Sequence, residues 1–226
     1  LSNFEVTQGY SDISDVSVYV TMPLLDEPGT ELLIWTTTAW TLPGNLMCAV
    51  HPDIEYAKVA SDGVKFVLAK DLVEDVFKDE EYEIVETLKA KDLIGRHYEP
   101  PFPYFKEEYQ QHNAFRIVAA DYVTTDSGTG IVHLAPAFGE EDFQLGKKEN
   151  MPLLQHVTMD GKFIDEVKDF AGETLKPKED TTRTDQKIAD FLKEHGRLFS
   201  ARKYKHSYPH CWRCDSPLLN LTPIHI

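Results

Sequence analysis

The sequence predicts a mainly β, α+β fold in which short strands form a closed or nearly closed, β-barrel-like arrangement with short helices inserted between them. Three observations lead to it. Apolar and polar residues alternate with period two in many short stretches, Gly/Pro turns separate those stretches at uneven spacing, and helical spacing is confined to three short runs. In order, Val16 to Val20 and Glu31 to Thr37 read as strands flanking the Pro28-Gly29 turn. Further strands are expected at Ile54 to Ala60, Val64 to Ala69, Tyr82 to Leu88, Phe115 to Val123, Gly130 to Ala135, Leu153 to Thr158 and Arg197 to Lys205. Helices are expected at Asp71 to Lys78, Glu140 to Glu149 and Asp185 to Glu194, the last with Ile188, Phe191 and Leu192 on one face and Gly196 as its stop. Proline sterics make Glu99 to Pro103 extended, a crossing between two halves of one domain with aromatic neighbours packed around it.

Length and composition agree with a soluble globular protein. The chain has 226 residues, 42% hydrophobic and 27% charged, which excludes collagen, coiled-coil and mucin classes and a disordered chain. The longest apolar runs, such as Leu32 to Trp35, are too short to span a bilayer, and Leu1 to Tyr10 lacks the order of a signal peptide, so a cytoplasmic location without membrane contact is expected. Cys48, Cys211 and Cys214 do not make a secreted disulfide framework. Residues 1–15 and 206–226 carry few strand signals and are expected to be stalks around a body at 16–205, joining it to a larger protein.

The net charge of −15 argues against a generic nucleic-acid coat. The charge is uneven: Thr181 to Arg213 holds eight Lys/Arg against three acids. Such a basic segment on an acidic body could guide a polyanion to one edge, although a solvated helix face explains it equally.

Three segments could carry chemistry. Trp35 to Asn45 packs four threonines, two tryptophans and an asparagine at a strand end, where hydroxyls bind a polar ligand without adding charge; a β-branched strand with local hydroxyl-to-backbone bonds is the structural alternative. Ser127 to Asp142 is a Gly-rich turn, a strand containing His133, a proline loop and a helix start with Glu140, Glu141 and Asp142. Acids there are stabilising without any function, and a lone strand histidine is commonly structural. The turn lacks phosphate-loop spacing. His206 to Cys214 contains one Cys-x-x-Cys, so Cys211 and Cys214 supply two of the four ligands of a zinc site. No nucleophile elbow or His-Glu-x-x-His helix is present, so a covalent nucleophile is not expected.

Taken together, Trp35-Thr-Thr-Thr-Ala-Trp-Thr-Leu-Pro-Gly-Asn45, Gly128-Thr-Gly-Ile-Val-His-Leu-Ala-Pro-Ala-Phe-Gly-Glu-Glu-Asp142 and His206-Ser-Tyr-Pro-His-Cys-Trp-Arg-Cys214 resemble the editing domain, the first connective peptide insertion, of isoleucyl-tRNA synthetases. Thr36 to Ala39 replaces the Thr-Thr-Arg-Pro type of sequence of the valyl and leucyl relatives. Ala39 stands where the family usually has proline. The resemblance implies a pocket that hydrolyses the ester of a wrongly attached amino acid, chiefly valine, on the 3′-terminal adenosine of the isoleucine tRNA, with no cofactor for editing. By position, Thr36, Thr37 and Thr38 surround the aminoacyl group and the water, Asn45 supports that loop, and His133 lies against the amino acid and ribose. Asp142 binds the α-ammonium, and Trp35 contacts the adenosine neighbourhood. His133 is either a proton acceptor or a pocket wall; the wall is the expectation. His-Ile-Gly-His and Lys-Met-Ser-Lys-Ser, the family's ATP-binding signatures, are absent, so the chain reads as a fragment that does not activate an amino acid. Its partners are the charged tRNA end and the rest of the parent enzyme, which would also complete the zinc site. Two alternatives remain: a non-catalytic module binding the tRNA 3′ end, and the editing domain of a valyl or leucyl relative.

Overall fold

The structure, a computed structural model, describes residues 9–214 and 216–219. Among the described residues nine strands build two sheets: β1 (Tyr10–Pro23), β2 (Thr30–Thr36), β3 (Met47–Val50), β4 (Glu55–Ser61), β5 (Val64–Ala69), β6 (Glu83–Lys89), β7 (Arg116–Ala119), β8 (Ile131–Leu134) and β9 (Leu198–Pro209). The larger sheet has the order β6-β4-β5-β2-β1-β9 and the smaller the order β7-β3-β8. Pairing is antiparallel except for β2 with β5 and β3 with β7. The helices are short: α1 (Val73–Val76), α2 (Lys106–Gln110), α3 (Glu140–Lys148) and α4 (Arg183–Glu194), with a 3-10 turn at Ala39–Gly44 following β2. Among the described residues no helix is long and apolar enough to cross a membrane.

The mainly β class with inserted helices is what the chain adopts, but the sheets do not close into a barrel. No ladder joins the outer strands β6 and β9 to the smaller sheet among the described residues. The outer strand β6 is exposed and carries Glu83, Glu86 and Lys89, the charged composition that discourages edge pairing. The two sheets instead approach each other where β8 lies against β2, and the core includes fully buried side chains such as Val20, Met22, Leu32, Ile34, Met47 and Val67.

Several boundaries move for identifiable reasons. β1 begins at Tyr10, not Val16, and β9 runs on to Pro209, so the two form a ribbon through the positions expected to separate stalks from body. Its first part is held by polar partners, with Asp15 facing His206 and Ser11 facing His210, so no apolar alternation announces it. Residues 1–8, 215 and 220–226 of the expected stalks lie outside the described residues. β7 begins after Phe115, which sits at φ 59° and is not extended, and ends at Ala119, before the turn at Asp121 and Tyr122. Leu153 to Thr158 pairs only at Val157, in an isolated bridge to Phe163, yet Leu154, His156 and Val157 are buried.

The amphipathic face of α4 buries Ile188, Ala189 and Leu192 and packs against β1, β9 and the 3-10 turn. Beneath it lies a buried charge cluster. Lys176 Nζ is 2.9 Å from Asp15 Oδ1 and 2.6 Å from Asp185 Oδ2, and His206 Nε2 is 3.1 Å from Asp15 Oδ2. Burial pushes the Asp185 carboxyl up to about 6 even though Lys176 opposes the shift. Removing one partner of such a cluster strands its counter-charges away from water. Lys176→Ala is therefore expected to cost about 3–5 kcal/mol in urea unfolding at neutral pH. The loss shrinks at pH 5, below the value of about 6 to which burial raises Asp185, where that carboxyl takes up a proton; an equal loss at both pH values would refute the charge account.

Candidate functional site

The β2 strand ends at Thr36, and the chain then turns through Thr37 and Thr38 into the buried 3-10 turn. That bend aims the hydroxyls. Thr36 Oγ1 accepts the Thr38 backbone N–H at 3.1 Å and lies 3.1 Å from Thr38 Oγ1. Across from them, β8 presents His133, and the loop after β8 leads to α3, which carries Asp142 in its first turn. Trp35, Thr36, Thr38, Thr41, Val132, His133, Ala135, Phe138 and Asp142 together enclose a cavity of about 200 Å³.

Period-two alternation splits the threonines between two spaces. Thr37 does not reach this cavity; it lines a neighbouring one of about 260 Å³ with Tyr122, Thr124 and residues Ser127 to Val132. Trp35, Thr36 and Val132 line both and form the partition. A larger and more open groove of about 450 Å³ runs beside α3 at Ala119 to Tyr122, but none of the expected site residues faces it.

His133 is held on both sides. Asn45 donates through Nδ2 to the Met47 carbonyl at 3.0 Å and to His133 Nδ1 at 3.2 Å, and its Oδ1 accepts from the Tyr98 hydroxyl at 2.8 Å. An amide nitrogen only donates, so Nδ1 is an acceptor and the proton of the neutral ring sits on Nε2. Nε2–H then donates to Thr41 Oγ1 at 2.7 Å, whose own proton goes to the Thr38 carbonyl at 2.8 Å. Burial, reinforced by His156, pulls the imidazole down to about 3. Both ring nitrogens are therefore spent in the fold. Asn45, expected to support the threonine loop, lines neither cavity and holds His133 from behind.

Asp142 is the one carboxylate lining the smaller cavity. Its Oδ2 accepts the Ala135 backbone N–H at 2.9 Å, tying the loop to α3. A helix start favours the carboxylate, but burial outweighs this and pushes the group up to about 6, despite the Ala135 bond. Phe138 completes the wall, edge-on to Trp40 at 5.4 Å and to the buried His156 at 4.6 Å. His156 in turn donates Nε2–H to the Trp40 carbonyl at 3.0 Å.

The sequence pattern did not single out Thr41, Tyr98 or Phe138. Thr41 was visible in the threonine-rich run, but its pairing with His133 depends on the 3-10 turn; Tyr98 comes from the proline-rich crossing and has no local signature. Ala39 is fully buried and faces no cavity, so the replacement of proline removes no lining group. Cys211 and Cys214 sit at a turn closed by a Cys214 N–H to Cys211 carbonyl bond of 3.3 Å. His206 faces Asp15 and His210 faces Ser11, so neither joins the thiols, and no group of three or more His, Cys, Asp or Glu among the described residues is arranged for a metal ion.

Comparison with known proteins places this geometry. Over 219 residues, 97% of the chain, it is 44% identical to an isoleucine–tRNA ligase of Clostridium novyi (strain NT), and over 223 residues it is 45% identical to that of Bdellovibrio bacteriovorus. The chain spans about a fifth of the length of these curated relatives, 20% in each case. Among solved structures, the CP1 domain of the leucyl-tRNA synthetase GlLeuRS superimposes with a TM-score of 0.63 at 12% identity, covering 86% of this chain and 99% of that one, and so has the same fold. No family model matches the chain.

The hydrogen-bond assignment makes a spectroscopic prediction. Imidazole nitrogen shifts should show His133 as a neutral Nε2–H ring that does not titrate between pH 5 and 9, since its ordinary midpoint is pulled down to about 3. A midpoint between 6 and 7 would refute the assignment.

Proposed function

The chain belongs to the isoleucine–tRNA ligase family as a segment of about a fifth of such an enzyme, and from that premise we propose that it hydrolyses valine wrongly esterified to the 3′-terminal adenosine of the isoleucine tRNA. The observation that carries this reading is the single carboxylate, Asp142, in a small hydroxyl-lined cavity that shares a wall with a second cavity. An aminoacyl ester has one cationic amine, which Asp142 anchors by a charge-assisted hydrogen bond, and a nucleoside, which the second cavity receives across the Trp35–Thr36 partition.

The chemistry asks little of the protein. Water adds to the ester carbonyl, the acyl–oxygen bond breaks, and valine and a free ribose hydroxyl leave. Because the ester is already activated, positioning accounts for much of the rate. The Thr36 and Thr38 hydroxyls, 3.1 Å apart, orient the water and the developing oxyanion. His133 accepts no proton; it is a rigid wall held by Thr41 and Asn45. The adjacent ribose hydroxyl of the substrate assists the proton transfer. Zinc plays no part in this step: Cys211 and Cys214 would bind it only with two further ligands from the parent enzyme.

Selection by size follows from rigidity. One methylene separates isoleucine from valine and is worth about 0.8 kcal/mol of burial, too little to edit by affinity, so the pocket must exclude the larger side chain sterically. His133→Ala or Thr38→Ala should open space and raise isoleucyl relative to valyl ester hydrolysis, or abolish both if the lost group orders the water. An unchanged ratio at unchanged rate in both variants would place the size filter elsewhere.

Asp142→Ala should lower kcat/KM for valyl-tRNA by about 10–100-fold, the worth of a hydrogen bond to a charged group. The sign with pH is fixed by burial. Above about 6 the carboxylate is ionised and holds the ammonium; below it the group is protonated, so kcat/KM should fall tenfold per pH unit. Deacylation rates of wild type and Asp142→Ala from pH 5 to 8 test both; a normal rate in the variant would end the reading.

A further inference from the structure

The basic segment is not absorbed by the hydrolytic site, and the fold places part of it next to that site. Arg202, Lys203 and Lys205 lie on β9, which pairs with β1, which pairs with β2. Tyr204 lies between them along the strand, 37% exposed, with its ring edge-on to Trp35 at 5.0 Å; Arg202 shares its face of the sheet, while Lys203 and Lys205 leave the same edge strand on the other face. Trp35 is the indole that lines both cavities, and Tyr204 lines neither. The cations are only lightly used by the protein. Arg202 lies 5.1 Å above the Tyr19 ring and donates to the Val76 carbonyl, and Lys205 meets Asp12 in an exposed pair. Lys203 is exposed and has no ion-pair or side-chain hydrogen-bond partner among the described residues.

An exposed aromatic ring on an edge strand that also carries cations, packed against the indole that lines a nucleoside-sized space, is a composition that binds single-stranded nucleic acid: bases stack and phosphates meet the charges reaching round the strand edge. Charge complementarity favours a polyanion here, since this strip is basic on a chain of net charge −15. We propose that Tyr204 is a stacking platform for the base immediately preceding the terminal adenosine of the tRNA, and that Lys203, with Arg202 and Lys205, attracts the phosphates leading to it. This rests on the editing reading above and extends it from the terminal nucleoside to the strand that carries it. Tyr204 would thus act on the capture of tRNA and not on the ester.

The test uses the whole chain with two probes: an acceptor minihelix with a single-stranded 3′ end, for binding by fluorescence anisotropy, and valyl-adenosine ester, for hydrolysis. Tyr204→Leu keeps bulk against Trp35 but removes the π-face, and should weaken minihelix binding by about 5- to 100-fold. Tyr204→Phe should bind as wild type. Lys203→Glu should weaken binding and flatten its salt dependence. Hydrolysis of the small ester should stay within twofold for Tyr204→Leu and Lys203→Glu. Minihelix affinities equal to wild type in both variants, or no binding by wild type, would overturn the platform. Equal damage to the small ester by Tyr204→Leu would also overturn it, showing that Tyr204 acts through Trp35. If wild type binds the minihelix in the Tyr204-dependent way but hydrolyses neither valyl-tRNA nor the small ester, the platform stands and the editing reading falls.

Discussion

The site depends on one buried hydrogen-bond chain, running from Tyr98 through Asn45 and His133 to Thr41 and the Thr38 carbonyl. Its members come from the proline-rich crossing, the approach to β3, the β8 strand and the turn after β2, so the chain joins the smaller sheet to the end of the larger one. Each donor has one acceptor and each nitrogen a fixed role, which leaves a single tautomer and a single ring orientation for His133. A network of this kind is costly when broken, because its inner members, Tyr98, Asn45 and His133, are buried and have few alternative partners. The threonine loop is rigid for that reason, although it is irregular backbone.

That rigidity decides the style of chemistry available. An imidazole with both nitrogens committed cannot also collect a proton, and burial keeps it neutral throughout the physiological range. The remaining ionisable group in the cavity, Asp142, is half spent on the Ala135 N–H and is better suited to hold a cation than to act on a carbonyl. Under the proposed editing reading, such a lining would act by orienting a substrate whose bond is already activated, and walls held by hydrogen bonds would select it by shape.

How much of this was legible in the sequence follows the range of the interactions. Local signals served well: Val64 to Ala69 is a strand to the residue, α3 and α4 start and stop within a few residues of expectation, and the motif residues Trp35, Thr36, Thr38, His133 and Asp142 converge on one cavity. Non-local pairing did not show. The polar half of the β1–β9 ribbon has no apolar alternation because it covers no core, and β3, four residues long and fully buried, has no alternation to display. The closed barrel was a reading of strand number, and strand number does not specify which edges meet. Tyr98 was expected to pack; that its hydroxyl also holds Asn45, and through it His133, is a consequence of topology.

The partition between the two cavities shows how these levels combine. Trp35 can stand between them because residue 128 is glycine: at φ +79° its backbone passes so close that a Cβ would come 2.8 Å from the indole Cε3. Gly128 and Gly130 bend the chain into β8, so the turn that clears space for the indole also sets the strand that carries His133. A side chain at 128 would collide with Trp35, the residue that lines both cavities, and would itself be strained at that positive φ. The glycine turn is therefore matched to the tryptophan nearly a hundred residues before it. The partition between the two cavities and the edge-on contact of Trp35 with Tyr204 both depend on that single close approach.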